Sequence, residues 1–382
     1  MRPLALTRIM LAATALLSLS AHAQDSLPIG LIQPLTGSVA YNGTAAAHGA
    51  ELAVKQRNAN GGVLGKPVEM ITEDGQCSPA DSVNAAEKLI QRDEVVALVG
   101  AFCSSATSAV MPVAQKYKIP FLTGVSSEAS LTEAGNPYFF RSAETDALLG
   151  SAFSKLIVDN LGLEKVAYIG VNDDWGRGSV KAFEQELSGH GVETVMTEYF
   201  NHGSSDFYTL LTKLRNSGAD GVFVAAETQD GSTLVKQLKQ FGIDMDVFGV
   251  GSWATSDFID LTGDAAEGIY AAVPYVSNLP GERNERFVKD YTEAYGQAPG
   301  KYGAAGYNAL NIMMAAIERA GSSDAEAIVD GLKQTDYEAP NGRYRFTAKG
   351  QGYGFQAALV QIQNGKTDVV ATTAIAAPDA GN

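Results

Sequence analysis

Residues 95–107 read VVALVGAFCSSAT, and this stretch decides the fold. Val95 to Val99 is an unbroken apolar run, Gly100 breaks it, and Ser104 and Ser105 open an amphipathic segment that continues to Lys116. An apolar run without polar alternation predicts a strand buried on both faces, as in a parallel sheet covered by helices. The flanking sequence repeats the unit. Strands are expected at 28–33, 68–72 and 120–122, and helices at 44–58 and 79–91. In the first of these helices Ala47, Ala50 and Val54 share one face. The second opens on Ser78-Pro79-Ala80-Asp81: a cap, a proline at the first helical position, and an acidic partner completing a capping box.

The rhythm restarts downstream. Helices are expected at 148–160, 178–188, 205–216 and 231–241, alternating with strands at 165–170, 194–199, 221–225 and 246–250. Strand–helix alternation occurring twice predicts two doubly wound α/β lobes, each with a parallel sheet. Two more helices are expected at 284–295 and 303–319, then a β-rich stretch at 344–370 and a loose tail over the last dozen residues. Ligands of such folds bind outside the carboxyl ends of strands, and two facing lobes form a cleft that shuts by hinge motion.

Composition fits this reading. The 382 residues, 45% hydrophobic and 19% charged, suit about two globular domains. The net charge of −15, with no basic cluster, argues against nucleic acid and against an anionic membrane surface. Residues 1–23 read as a secretory signal. Arg2 and Arg8 supply the positive start, an apolar run follows, and Ala21-His22-Ala23 is a small-residue cleavage site. The run is shorter than a membrane span. Cys77 and Cys103 are an even pair in an exported chain and are expected to form a disulfide closing a loop worth roughly 3 kcal/mol. No metal spacing exists around them, and His48, His190 and His202 are scattered and expected on surfaces.

Motifs for catalysis or a cofactor are missing. Residues 61–67 superficially resemble a phosphate loop, but the spacing is wrong and Pro67 stands where a hydroxyl is required. No G-x-S-x-G elbow is present, and Asp173-Asp174 or Glu227 lack an accompanying nucleophile. The sequence therefore points away from an enzyme and from any cofactor or metal.

Residues suited to holding a small zwitterion remain. Ser104 and Ser105 sit at a helix N-terminus, where open N–H groups and the helix dipole favour a carboxylate. A simple helix cap is the competing role. The next strand runs into Thr123-Gly124-Val125-Ser126-Ser127, a second hydroxyl-rich loop at the same sheet edge. In the second lobe Trp175 follows one strand and Glu227 another. Glu227 suits an ammonium group or lies beside a helix cap, and Trp175 suits a pocket wall or the core.

The chain resembles the periplasmic branched-chain amino-acid (Leu/Ile/Val)-binding proteins, type I periplasmic binding proteins of ABC importers. Ile29-Gly30, Leu35-Thr36-Gly37, Asn58-Ala59-Asn60-Gly61-Gly62-Val63-Leu64-Gly65 and residues 100–107 carry the resemblance, together with residues 220–226 and Gly263-Asp264-Ala265-Ala266-Glu267-Gly268. It implies a Venus-flytrap of two lobes crossed near 141–145, near 274–275 and again in the C-terminal β-rich region. The implied division is 24–143 with 275–350, and 144–274 with 351–382. It also implies a disulfide matching Cys77–Cys103. Ser104 falls where a serine holds the ligand carboxylate. Val125 and Ser127 fall where a backbone group and a hydroxyl touch the ligand. Phe102, Trp175 and Tyr302 fall at pocket walls. The chain departs from the pattern at Gly251, where the branched-chain binders place a glutamate against the ammonium, and at Glu227, where they have a tyrosine. Glu227 is therefore expected to take over the ammonium.

The implied function is capture of a small, neutral or branched-chain amino acid in the periplasm. A monomer is expected to deliver it to an inner-membrane permease with ATPase subunits. An amide, urea or an aromatic organic acid as ligand, or a role as ligand sensor, are the alternatives.

Overall fold

Each lobe grows outward from apolar strands whose two faces are both buried. The computed structural model describes residues 26–133 and 135–377. The expected signal at 1–23 lies outside the described residues. In the first lobe β1 (Leu27–Gln33), α1 (Ala40–Ala59), β2 (Val68–Asp74), α2 (Pro79–Gln91), β3 (Ala97–Gly100), α3 (Ser104–Tyr117), β4 (Phe121–Thr123), α4 (Ser130–Glu133) and β5 (Phe139–Arg141) follow in order. Their sheet is parallel, with strand order β2-β1-β3-β4-β5. β3 is buried throughout, as its sequence predicts. At its end Gly100 has φ +126, and a Cβ there would lie 2.0 Å from the Ile32 carbonyl oxygen, so only glycine lets β3 leave the sheet beside β1. Ser78 caps α2 by accepting from the Asp81 N–H at 3.3 Å.

The second lobe continues with α5 (Asp146–Leu161), β6 (Lys165–Val171), α6 (Asp174–Gly189), β7 (Glu193–Phe200), α7 (Tyr208–Arg215), β8 (Gly221–Ala225), α8 (Thr228–Gln240), β9 (Asp246–Val250), α9 (Ser256–Thr262) and β10 (Tyr270–Val273). The chain then returns through α10 (Glu282–Tyr295), α11 (Lys301–Ala320) and α12 (Ala325–Lys333), and α11 lies against α1 of the first lobe. β11 (Tyr337–Ala339), β12 (Gly342–Phe346), β13 (Gly352–Gln363) and β14 (Lys366–Ala374) complete a nine-stranded sheet, ordered β11-β12-β13-β10-β9-β8-β6-β7 with β14 also on β13. β6 to β10 pair in parallel, whereas β13 joins β10 antiparallel. Phe346 of β12 packs its ring on Phe140 of β5, so this hairpin touches both sheets.

The first passage between lobes follows β5. The Arg141 guanidinium is fully buried there, donating to Gln351 Oε1 at 2.7 Å and to the Thr132 hydroxyl at 2.9 Å. Gln351 in turn donates to the Ala143 carbonyl at 2.9 Å, tying this passage to the C-terminal strands. Burial lowers the Arg141 pKa, against the charges of Glu128 and Glu144.

Several boundaries differ from the sequence reading. α6 and α8 begin earlier than expected, at Asp174 and Thr228, because Asp173 caps the first and the chain turns directly out of β8 into the second. The tail is shorter than expected. β14 runs to Ala374 by pairing with β13, so the first residues of the last dozen are strand. Among the described residues no helix is long and apolar enough to cross a membrane.

Candidate ligand-binding cleft

The carboxyl ends of the strands in both lobes open on one cleft. The space between them is about 340 Å³ with its open mouth included. From the first lobe the turn after β3 supplies Phe102, Cys103 and Ser104, and the turn after β4 supplies Val125, Ser126 and Ser127. Lys301 and Tyr302 come from the start of α11. From the second lobe Asp173 and Trp175 follow β6, His202 follows β7, and Glu227 follows β8. All seven residues singled out from the sequence, Phe102, Ser104, Val125, Ser127, Trp175, Glu227 and Tyr302, therefore meet in one place.

The first-lobe wall is fixed by covalent and hydrogen-bonded ties. Cys77 and Cys103 are joined, with Cα atoms 5.4 Å apart. Phe102, just before, has φ +65, a left-handed conformation that a bulky residue adopts only when its surroundings impose it. The disulfide pins its neighbour, and the Ser126 hydroxyl donates to the Phe102 carbonyl at 2.8 Å. Among the described residues no side chain caps α3, so its first N–H groups remain open at the cleft end of the helix. Ser104 Oγ accepts from the Glu128 N–H at 3.3 Å.

The second-lobe wall is built from charge. Glu227 occupies the capping position of α8 but does not cap it. Its carboxylate is instead held across the cleft: Asn42 Nδ2 and the Tyr302 hydroxyl donate to Oε2 at 2.7 and 2.5 Å. Both bonds fall on one oxygen, so Oε1 is left for the cleft. The Thr228 hydroxyl donates to Asn42 Oδ1 at 2.9 Å, doubling the link between lobes. Burial pushes the Glu227 pKa up, opposed by the charge of Lys301 and the hydrogen bond from Tyr302. Burial, with the adjacent Glu227, likewise drives the Tyr302 pKa well above that of a free phenol, so Tyr302 stays a donor.

His202 corrects the sequence reading, which placed it on a surface. Its side chain is only 26% exposed, with Nε2 3.0 Å from Asp173 Oδ2 and Nδ1 in ionic contact with Asp230 Oδ2 at 3.5 Å. Burial alone lowers the imidazole pKa, but hydrogen bonding to Asp173 and Asp230 outweighs it and lifts the value to about 10. The ring is thus a fixed cation between two carboxylates. Asp173 Oδ1 meanwhile caps α6 by accepting from the Gly176 N–H at 2.8 Å.

Trp253 lies in the core. It is fully buried, stacks on Phe258 at 4.8 Å, and donates its indole N–H to the Ala226 carbonyl at 2.7 Å, one residue before Glu227. Gly251, at φ +87, lets the turn pass beneath Trp175: a Cβ there would lie 3.4 Å from that ring. The turn after β9 therefore supports Glu227 and Trp175 rather than presenting a carboxylate of its own.

Sequence reasoning missed Lys301 and His202 as parts of this cleft, missed Asn42 as a partner of Glu227, and set Asp173 aside. Lys301 did leave a signal, since a cation in the first turn of a helix opposes the dipole and calls for a reason. Its ammonium lies 4.8 Å from the Tyr302 ring centroid. The order of donors and acceptors suits binding. Open N–H groups and a serine stand on one lobe, and a buried carboxylate stands on the other.

Two α/β lobes closing on such a cleft define a two-lobed solute-binding protein. The chain belongs to the periplasmic binding protein family, whose sequence pattern matches residues 26–367. It is 28% identical over 329 residues to the leucine-, isoleucine-, valine-, threonine- and alanine-binding protein of Pseudomonas aeruginosa, covering 86% of this chain and 87% of that one. Its fold matches the branched-chain amino acid transporter substrate-binding protein of Streptococcus pneumoniae in complex with isoleucine (TM-score 0.84, 26% identity, 92% and 99% of the two chains). It matches equally an ABC-transporter solute-binding protein of Rhodopseudomonas palustris in complex with 3,4-dihydroxybenzoic acid (TM-score 0.85, 25% identity, 92% and 98%).

Proposed function

We propose that this protein captures a small amino acid, neutral or branched-chain, in the periplasm and hands it to an inner-membrane ABC permease. One observation carries the reading. An uncapped helix N-terminus with Ser104 stands on one lobe, and the buried carboxylate of Glu227, with one oxygen unengaged, stands on the other. A zwitterion satisfies both, and burying a charged ligand is tolerable only when both of its charges are paired. Glu227 binds the ammonium in place of a carboxylate at position 251. Residues 24–143 with 275–350 form the first lobe and 144–274 with 351–382 the second, with β11 and β12 extending the second lobe's sheet. Residues 1–23 direct export, the working state is a monomer, and the protein performs no chemistry on its ligand. The relatives, which are solute-binding proteins, support that last point.

An aromatic acid is the second reading. The dihydroxybenzoate-bound neighbour and the rings of Phe102, Trp175 and Tyr302 around the cleft favour it. A thermal-shift panel on protein stripped of endogenous ligand by unfolding and refolding separates the two. A ligand at about 100 times its Kd adds about 2.7 kcal/mol of stability. Shifts with Leu, Ile, Val, Thr or Ala support the first reading. Shifts confined to benzoate-type acids, amides or urea reject it.

A further inference from the structure

The cleft holds two serines whose hydroxyls are committed to opposite roles. A serine hydroxyl has one proton to give and two lone pairs to accept with. Ser104 Oγ spends a lone pair on the Glu128 N–H at 3.3 Å, and among the described residues its proton has no acceptor. Ser127 is the reverse. Its proton goes to Asp146 Oδ2 at 2.9 Å, leaving its lone pairs for the cleft. Asp146 is buried at the start of α5, just beyond the first passage between lobes, and the same Oδ2 also accepts from the Ser179 hydroxyl at 2.5 Å. Both hydroxyls are thus assigned as donors to one carboxylate oxygen, which accepts from each.

We propose that Asp146 is a specificity-determining positioning residue: by taking the proton of Ser127, it makes that hydroxyl an acceptor and so selects ligands that carry an ammonium beside their carboxylate. The inference rests on the amino-acid reading given above and names how its ligand is told from an acid of the same shape. Ser104 donates to the carboxylate, while Ser127 and Glu227 Oε1 accept from the ammonium. A 2-hydroxy acid offers one proton where the amino acid offers three, and a plain carboxylic acid offers none, so acceptors are left unpaired in a closed site. Asp146 touches no ligand in this scheme and acts only through Ser127. Ser179, on α6, donates to the same Asp146 oxygen as Ser127.

The test is a double-mutant cycle read as a selectivity ratio. Affinities for L-valine and for L-2-hydroxyisovalerate are measured by calorimetry on refolded wild type, Asp146→Asn, Ser127→Ala and the double variant. Asp146→Asn is expected to lower the valine preference about 10-fold, because the amide can turn its NH₂ toward Ser127, which frees the Ser127 proton and fills the lone pair the ammonium needs. In the Ser127→Ala background the same change is expected to leave the ratio within about twofold, since there is no hydroxyl left to orient. An equal drop in both backgrounds means that Asp146 acts on the fold alone and overturns the proposal. Should Asp146→Asn fail to fold, Ser127→Ala alone decides. Loss of valine affinity with unchanged hydroxy-acid affinity supports an acceptor role, and equal loss for both refutes it. Valine binding with no wild-type preference over the hydroxy acid overturns this proposal while sparing the amino-acid reading. Binding of neither, nor of any amino acid in the panel, overturns both.

Discussion

On the first lobe the cleft is walled by backbone N–H groups, serine hydroxyls and a turn held by the Cys77–Cys103 bond; on the second it is walled by ionisable side chains, with Glu227 held by Asn42 and Tyr302, and His202 set between Asp173 and Asp230. The first wall is made almost entirely from neighbours in sequence, so its geometry is set as soon as β3 and β4 are in place. The second is assembled from three separate strand ends, and it is completed by residues of the first lobe that reach across. A wall of neutral donors, with the ammonium of Lys301 beside it, suits an anion. A charged wall discriminates more sharply, but it costs desolvation and must be supported from behind. The lobes thus divide the work, the first anchoring a carboxylate and the second reading what accompanies it.

The largest effect is expected where that division is most exposed. Glu227→Gln keeps the shape and the bonds from Asn42 and Tyr302 on offer but removes the charge. Affinity for an amino acid should fall about 100-fold or more, whereas a ligand lacking an ammonium should lose little. Titration calorimetry across pH sharpens the point. Burial raises the Glu227 pKa, so acidification protonates the group before an ordinary glutamate would titrate, and the ammonium loses its partner. Wild-type affinity should therefore fall as pH drops, and the Glu227→Gln variant should show a flatter profile. Equal affinity of variant and wild type at neutral pH would move the ammonium site elsewhere.

The first wall is probed by replacing both Cys77 and Cys103 with serine. Their bond closes a span of 26 residues, so its loss should cost roughly 3 kcal/mol of stability and lower Tm by several degrees. Phe102 then loses the covalent tie that holds its left-handed turn. An unchanged Tm would mean that hydrogen bonds such as that from Ser126 to the Phe102 carbonyl fix the turn unaided.

The same contrast explains what could be read from the sequence. The first wall was largely legible, because VVALVGAFCSSAT puts strand, turn, disulfide half and helix start in one run. The alternation of strands and helices, and the cap of α2, were legible for the same reason: hydrophobic period and capping chemistry act over a few residues. Short elements escaped. β5 is three residues long and α9 seven, too brief for periodicity to register. On the second wall Glu227 stood out as a carboxylate at a strand end, but its bonds to Asn42 and Tyr302 did not. Asn42 lies far upstream, and Tyr302 meets Glu227 only because α11 crosses back to the first lobe. His202 was misread because nothing local distinguishes a histidine between two distant aspartates from one on a surface. Trp253 was undecided until its N–H was seen to bind the carbonyl before Glu227.

A smaller effect is expected from Ser104→Ala. The hydroxyl contributes one hydrogen bond of several, and the open N–H groups at the start of α3 remain, so affinity should fall about 10-fold rather than vanish. A loss as large as that of Glu227→Gln would show that the serine, and not the helix end, carries the anion. That result would undo the picture of a wall built from backbone.

The last effect concerns His202, which touches Asp173 and Asp230 and sets the pH range in which that wall holds. Its pKa in the folded protein is about 10, against about 6.5 when unfolded, so folding favours the protonated ring. A raised histidine pKa contributes stability that is fully present below the unfolded value and is lost as pH rises through the folded one. Wild-type Tm should therefore decline between about pH 6.5 and about pH 10 by more than that of His202→Asn, which has no proton to lose. Below pH 6.5 the variant should melt lower by a constant margin, because Asp173 and Asp230 then lack their shared cation. Parallel curves for the two proteins across the whole range would mean that the imidazole is neutral in the fold. The second wall would then carry more uncompensated negative charge than its burial allows, and a cation supplied by the ligand would be the remaining way to balance it.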